Sequence, residues 1–407
     1  MNIGIIGCGP AGLAVALFLK RAGHDVELLE RFSTPHAVGS GFILQPTGLA
    51  VLAELGLSKA ISKKGQRLDR IYGLTEPSGR VVLDVDYSAL GKGFHGIGVH
   101  RASLFEHLFE AVTECAITIR TDIDVTRVES SPDIARVFDQ HGQHYGDYDL
   151  VIDASGASSS LRQFSLRTPA SRTLDYGALW GSFRWPGAPF AKGMLEQRYV
   201  GAHTMIGVLP IGRHSGVDHD LVAFFWSLKT TDFSRWLEAG LDVWKQQVRR
   251  IWPATDSILD QIHEPADMTL AKYGHSTMTK PFGDKLAFIG DAAHSTSPQL
   301  GQGANMALLD AWSLAQALAG PGALDERLRT YAKTRRWHIR AFQWSSLAMT
   351  PFYQSDSRVL AALRDRLFNP VSKLPIARRI VAGLISGMLA GPPKDLDYSA
   401  GMHVPEE

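Results

Sequence analysis

The chain has 407 residues, 45% hydrophobic and 20% charged, with a formal net charge of +1. That length allows two domains and a large buried core, and the near-neutral balance leaves no electrostatic case for a nucleic-acid partner. Two cysteines, Cys8 and Cys115, are too few for a disulfide framework or a structural zinc site, so a reducing, cytoplasmic setting is expected.

The N-terminus reads as strand, turn, helix and strand. Residues 3–6 form a short apolar strand that runs into Gly7-Cys8-Gly9-Pro10-Ala11-Gly12; an apolar helix follows over 13–21, and a second strand over 26–29 closes on Glu30. Glycines at 7, 9 and 12 permit a tight turn and close backbone approach to a pyrophosphate, while the helix N-terminus offers free N–H groups to the anion. Glu30 stands about twenty residues beyond Gly7, the spacing of an acid that holds ribose hydroxyls. Cys8 reads as a small filler of the turn. The apolar run 13–19 lacks the basic start of a signal peptide, and no apolar stretch reaches membrane-spanning length. By itself the fingerprint fits a nicotinamide or a flavin cofactor equally.

Residues 151–156 are an apolar strand running into the small-residue turn Asp153-Ala154-Ser155-Gly156. Residues 178–185 and 221–226 are rich in aromatic and branched side chains and read as strands of a separate sheet. Between them, 213–220 is polar and glycine-bearing; its two histidines and two acids are taken as a solvated turn, and no metal site is expected. A buried strand from 286 ends at Gly290, with Asp291 projecting from its carboxyl end, where open α/β sheets bind ligands. Gly301-Gln302-Gly303 then opens a helix over 304–318. In the tail, Ile376, Ile380, Leu384 and Met388 recur at helical spacing beside Arg378 and Arg379. A basic amphipathic helix can lie on a membrane surface, but packing against the protein body is the favoured reading.

Taken together, Gly7–Gly12, Arg101 at a helix start, and Gly290-Asp291 followed by Pro298 to Gly303 resemble the single-component FAD-dependent aromatic hydroxylases. That family has the p-hydroxybenzoate hydroxylase fold and includes salicylate, urate and ubiquinone-pathway hydroxylases. The resemblance implies an α/β fold with a Rossmann-like FAD-binding domain assembled from 1–75, 95–165 and 280–345. It further implies a mainly β substrate domain from 76–94 and 166–279, and a C-terminal helical region over 346–407. Carried over residue by residue, it places Gly7, Gly9, Ala11, Gly12, Glu30 and Arg31 along FAD, and Arg101 at its phosphate and ribityl region. Gly41 and Ile43 approach the ring, and Val125 belongs to a strand whose backbone meets the adenine. Asp291 contacts the ribityl chain, while Pro298, Gly301, Gln302, Gly303, Ala304 and Asn305 lie along the ring.

The family also holds its substrate between sheet and ring. Trp180, Ser182, Arg184, Phe224 and Trp226 are therefore pocket candidates, and His203 and Tyr72 are candidates for a base. One dinucleotide fingerprint is visible, so NAD(P)H is expected as a co-substrate that reduces the flavin and leaves. The implied reaction is hydroxylation of an aromatic, quinone-like or other electron-rich small molecule by molecular oxygen through a flavin hydroperoxide, in a monomer or homodimer. A reductase or dehydrogenase of the same fold, a halogenase-like enzyme and a non-enzymatic flavin sensor stay open as alternatives. The halogenase motif Trp-x-Trp-x-Ile-Pro is missing, and Gln299 stands where urate hydroxylases carry an acid. The family's strand ending Gly-Ala-Asp-Gly is altered here, so Asp153 is expected either to cap the turn or to stand in for the acid missing at Ser155.

Overall fold

The first apolar run forms β1 (Asn2–Ile6), turns at Gly7 into α1 (Pro10–Arg21) and returns as β2 (Asp25–Leu29), in a computed structural model that describes residues 1–37 and 39–402. The helix starts earlier than its apolar pattern because Pro10, which needs no N–H partner, takes the first helical position. β3 (Gly41–Leu44) and α2 (Pro46–Glu54) follow; β4 (Arg70–Thr75) and β5 (Arg80–Asp86) leave for a second sheet. β6 (Gly96–His100) returns antiparallel to β3 and leads into α3 (Arg101–Glu114), β7 (Thr118–Arg120) and β8 (Leu150–Asp153). Four long strands come next: β9 (Tyr176–Arg184), β10 (Met194–Val200), β11 (Thr204–Gly212) and β12 (Leu221–Lys229). After α4 (Leu241–Ile251) the chain re-enters the first sheet as β13 (Leu286–Phe288). It then finishes in α5 (Gly303–Ala319), α6 (Leu324–Tyr353), α7 (Arg358–Ser372) and α8 (Pro375–Ile385).

The first sheet has six strands in the order Phe282–Gly283, β13, β8, β1, β2, β7, parallel from β13 to β7. Its inner strands are buried on both faces, as parallel sheets are, with α1 and α5 packed together in the main core. The register sets Ile6 beside Asp153 and Asp153 beside Phe288, so three distant segments end together at one carboxyl edge. The second sheet has seven strands in the order Thr269–Ala271, β9, β12, β11, β10, β4, β5. One face packs on the helical layer around α4 through Leu179, Phe183, Ile206, Val208, Phe224 and Trp226. The other face, carrying Met205, Leu209, Ala223 and Phe225, looks toward the first domain and the end of α6.

Two domain limits differ from those expected. The hairpin of β4 and β5 belongs whole to the second sheet, because β4 pairs with β10 along its entire length, so residues 70–75 leave the FAD-binding segment. α6 runs unbroken through the expected limit at 345, and the tail comes back to the first domain, with Leu396 in its core and Gly401 against Leu49. The stripe on α8 is split: Ile376 is 77% and Ile380 48% exposed, while Leu384 packs beside Met306, Ile339 and Phe342. Among the described residues no helix is long and apolar enough to cross a membrane.

Candidate active site

The glycine turn is built by contact. A Cβ on Gly12 would fall 2.0 Å from the Gly7 carbonyl oxygen, so only a glycine lets α1 sit this low on β1. Gly7, at φ 100°, interlocks with Ala154 at the end of β8. Nothing lies within 4 Å of a Cβ on Gly9, which leaves that side of the turn open to an approaching pyrophosphate. The buried Glu30 carboxylate accepts the Cys8 N–H at 2.7 Å and the Phe32 N–H at 3.1 Å, which fixes the acid at the mouth of the turn. Burial, reinforced by Glu30, pushes the Cys8 thiol up to about 12, so it is an inert filler. Arg31 is exposed and lies over the Phe32 ring. Val125 is not in a strand: the segment 121–126 is irregular, Asp122 takes a positive φ, and pairing starts at Arg127. Ile123 nonetheless donates to the Glu30 carbonyl, which docks this loop at the end of β2.

Asp153 resolves as a cap. Its carboxylate accepts the Ser155 N–H at 2.9 Å, the Ser155 hydroxyl at 2.6 Å and the Ser159 hydroxyl, all within its own turn. It is fully buried, and burial raises its pKa. It is therefore turned into the protein and does not replace the acid missing at Ser155.

Next to it, Arg162 donates to the carbonyls of Asp291 (2.6 Å) and Ala292 (2.9 Å) and so fixes the turn after β13. The Asp291 side chain is exposed in the groove; desolvation raises its pKa, opposed by His294, Arg101 and Arg162. Arg101 opens α3, donates its N–H to the Ser40 carbonyl, and lays its guanidinium over Phe42 against Gly39. Pro298 starts a short turn that ends at Gly301 in the left-handed region, after which Gly303 and Ala304 open α5 with unpaired N–H groups. The side chain of Gln302 faces away from this loop and donates to the Ile385 carbonyl. Asn305 ties α5 to β3: it accepts the Gln45 N–H at 2.8 Å and donates to the carbonyls of Ile43 and Gly301, each at 3.1 Å.

Beneath this loop lies a buried network that no sequence pattern announced. Asp310 accepts the Gly290 N–H at 2.9 Å, His294 at 2.5 Å and Arg335 at 2.7 Å. Burial alone would raise its carboxyl, but His294 and Arg335 hold it down at about 2. Arg335 continues to His338 Nδ1 at 2.9 Å, and His338 Nε2 donates to the Gly387 carbonyl at 2.8 Å. The signal available in the sequence was a lone acid in the apolar run of α5, since a buried charge requires a partner.

The second sheet corrects several candidates. Trp180 pairs with Phe225 and Ser182 with Ala223, on the inward face. Phe224 and Trp226 lie one residue out of phase and pack edge-on against Trp244 of α4, so they cannot line the pocket. Tyr72 pairs with Glu196 on the same outward face, under the Arg70 guanidinium at 4.6 Å. His203 is exposed in the turn after β10, bonded to Thr204, roughly 20 Å along the strands from Ser182. Arg184 ends β9 exposed, its backbone held by Gln261. What the sequence missed is the inward row itself, Phe225, Met205, Leu209 and Gln197, together with Tyr273, whose hydroxyl accepts the Trp180 indole N–H at 2.9 Å. The Ser40 hydroxyl meets the Ser182 hydroxyl at 2.6 Å and the Gly181 carbonyl at 3.3 Å, and Gly41 lies against Ile211, which joins the sheet to the groove. Among the described residues no group of His, Cys, Asp or Glu could hold a metal ion.

A strand–glycine–helix cradle and a carboxyl-edge acid, joined by a helix start beside both, fit an FAD molecule, and the family match agrees: the sequence profile described as an FAD binding domain matches residues 1–344. The chain belongs to this family. It is 28% identical over 340 residues to 3-amino-4-hydroxybenzoate 2-monooxygenase of Streptomyces cremeus, covering 82% of this chain and 83% of that one. It is 26% identical over 398 residues to 6-methylpretetramide 4-monooxygenase of Streptomyces rimosus, covering 95% and 92%. Klebsiella pneumoniae HpxO, solved with FAD and uric acid, superposes with a TM-score of 0.79 over 96% of this chain and 97% of that one; at 22% identity this shows the shared fold. As a family member the protein is an FAD-dependent flavoprotein monooxygenase, an oxidoreductase whose two-part α/β fold is that of its solved neighbours.

Proposed function

We propose that this flavoprotein hydroxylates a small aromatic ring lying between the inward face of the second sheet and the loop from Pro298 to Gly303. The observation that carries this reading is convergence: the carboxyl ends of β1, β8 and β13 lie side by side, Asn305 at the start of α5 bonds to β3, and the Ser40–Gly41 corner of β3 touches the second sheet at Ser182 and Ile211. FAD, reduced by NAD(P)H, supplies the activation of molecular oxygen. The protein's own residues bind, orient and exclude water. The N-terminal amides of α1 would hold the pyrophosphate and Glu30 the ribose hydroxyls, with Asp291 at the ribityl chain and Arg101 at the phosphates. The free N–H groups of Gly303 and Ala304, at the positive end of α5, would stabilise negative charge on the reduced flavin.

With His203 and Tyr72 turned elsewhere, no side-chain base is assigned, and rate derives from positioning. Relatives named for the oxygenation of a hydroxybenzoate and a pretetramide support an aromatic substrate. The free thiols of Cys8 and Cys115 suit a reducing, cytoplasmic setting. Stopped-flow reduction of the holoenzyme by NADH and NADPH, followed by mass analysis after turnover in isotope-labelled oxygen, tests the proposal. One labelled oxygen atom in the product is expected; flavin reduction without substrate-linked oxygen uptake would leave only the reductase reading.

A further inference from the structure

Resting on that reading of the site, the geometry points to an uncharged, lipophilic aromatic substrate, one without a carboxylate, presented to a single phenolic donor. Between the Ser40–Ser182 corner and the packing of Tyr199 on Tyr353, the inward positions of the sheet are Trp180, Phe225, Gly207, Met205, Leu209 and Gln197. None of them is ionisable. The charged residues on this face stand at its margins: Arg184 and Arg80 are exposed, and Lys229 is paired with Asp356.

Three of the cations behind and around the face are engaged by the protein itself. Arg364 is fully buried and donates to Asp365 and to the carbonyls of Phe352 and Gly201. Arg335 is taken by Asp310 and His338, and Arg198 faces outward toward Glu76 and Glu196. Arg101 lies over Phe42 with both Asp291 and Tyr273 in its field, and on the reading above its charge is taken by the FAD phosphates. A benzoate-type substrate would bring an anion against a face whose own side chains carry no charge to neutralise it, so its carboxylate would be desolvated without compensation from the sheet.

The polar groups that do face inward are neutral and mostly satisfied. Ser182 is bonded to Ser40, and Gln197 accepts the Tyr199 hydroxyl at 2.8 Å while its amide points at the Met205 sulfur. On the sheet side Tyr273 is the exception, and across from it Gln299 Nε2, in the loop from Pro298 to Gly303, is likewise a buried donor without a partner among the described residues. The Tyr273 oxygen accepts from Trp180, and its own proton has no acceptor among the described residues. Burial pushes its pKa up to about 12, so the phenol stays a donor at physiological pH. Neutral donors beside an aromatic wall, with one phenol on the sheet side, select a ring bearing a carbonyl or hydroxyl oxygen, as a naphthol or a quinolone does.

The test uses FAD-loaded enzyme and a matched pair, 2-naphthol and 3-hydroxy-2-naphthoate, titrated against the flavin absorbance spectrum. The naphthol is expected to bind at least about tenfold more tightly. Tyr273→Phe is expected to weaken naphthol binding several-fold at unchanged FAD content. Leu209→Arg, which places a cation on the face, is expected to reverse the preference toward the naphthoate. Equal or tighter binding of the naphthoate by the unaltered enzyme, or a spectrum that neither compound perturbs, overturns the inference. A naphthol that binds in preference but is not oxygenated leaves this inference standing and removes the monooxygenase assignment instead.

Discussion

At Asp153, Ser155 and Ser159 three side chains satisfy one another in a space that admits one charge. The folded-state pKa of Asp153 lies above its unfolded value because burial outweighs its hydrogen bonds. Its contribution to stability is therefore fully present below the ordinary carboxyl range and is lost as pH rises through the folded value. Ser155→Asp would set a second carboxylate where the Ser155 hydroxyl now lies, 2.6 Å from Asp153 Oδ1. Like charges at that distance force one to stay protonated, so the variant should melt well below wild type at pH 8 and approach it near pH 5. Combining it with Asp153→Gly, which removes the buried acid, should restore much of the loss at pH 8. Parallel melts of wild type, single and double variants at both pH values decide this, and a pH-independent loss would contradict it. Asp153→Asn makes the complementary case: it keeps an acceptor for the Ser155 N–H and removes the charge. Its melting temperature at pH 8 should equal or exceed that of wild type, whereas Asp153→Ala should lose about 1–2 kcal/mol with the cap.

At the level of elements, α5 is held to β3 by one side chain. Asn305 is fully buried, closes the Gln45 N–H and the Ile43 carbonyl, and occupies the place that a Cβ on Gly48 would need. Asn305→Ala leaves two buried backbone groups unpaired, a cost of about 2–4 kcal/mol, and frees the α5 start from β3. FAD retained through gel filtration should fall with the melting temperature. Asn305→Asp, which can accept but not donate once ionised, should lie between. α5 was legible in the sequence together with β1, α1 and β2, because each pairs a short apolar strand or a glycine turn with a helix of clear extent. β12 was not. Its residues 221–228 are buried on both faces, so alternation carries no information, and the choice between Phe225 and its neighbours Phe224 and Trp226 depends on register with β9. β4, β5, β10 and β11 escaped notice because their pairing is settled by partners far away in sequence. The candidate cofactor cradle lies in local turns and could be read; the inward face of the second sheet is a product of strand register and could not.

Over the whole molecule, the tail acts as a third wall of the cofactor loop. Thr47 donates to the Ser386 carbonyl, Gln302 to that of Ile385 and His338 to that of Gly387, so α2, α5 and α6 all converge on three consecutive residues. His338, held at about 3 by burial and by Arg335, is neutral at physiological pH, so this clasp is expected to be insensitive to pH between 6 and 8. Truncation before Leu374 should therefore release FAD and lower the melting temperature. A sharper measurement compares two glycines of this tail. Gly387 and Gly391 both take positive φ, 82° and 70°, and alanine at either carries the same backbone strain of about 1 kcal/mol. At Gly391 nothing lies within 4 Å of the added methyl, whereas at Gly387 it would lie 2.4 Å from Thr47 Oγ1 and 3.0 Å from Gln302 Oε1. Gly391→Ala should thus show the strain alone, and Gly387→Ala the strain plus loss of the clasp, with faster FAD dissociation. The difference between the two in FAD release measures how far the tail holds the α5 start in place; equal behaviour would mean that the tail only covers the site.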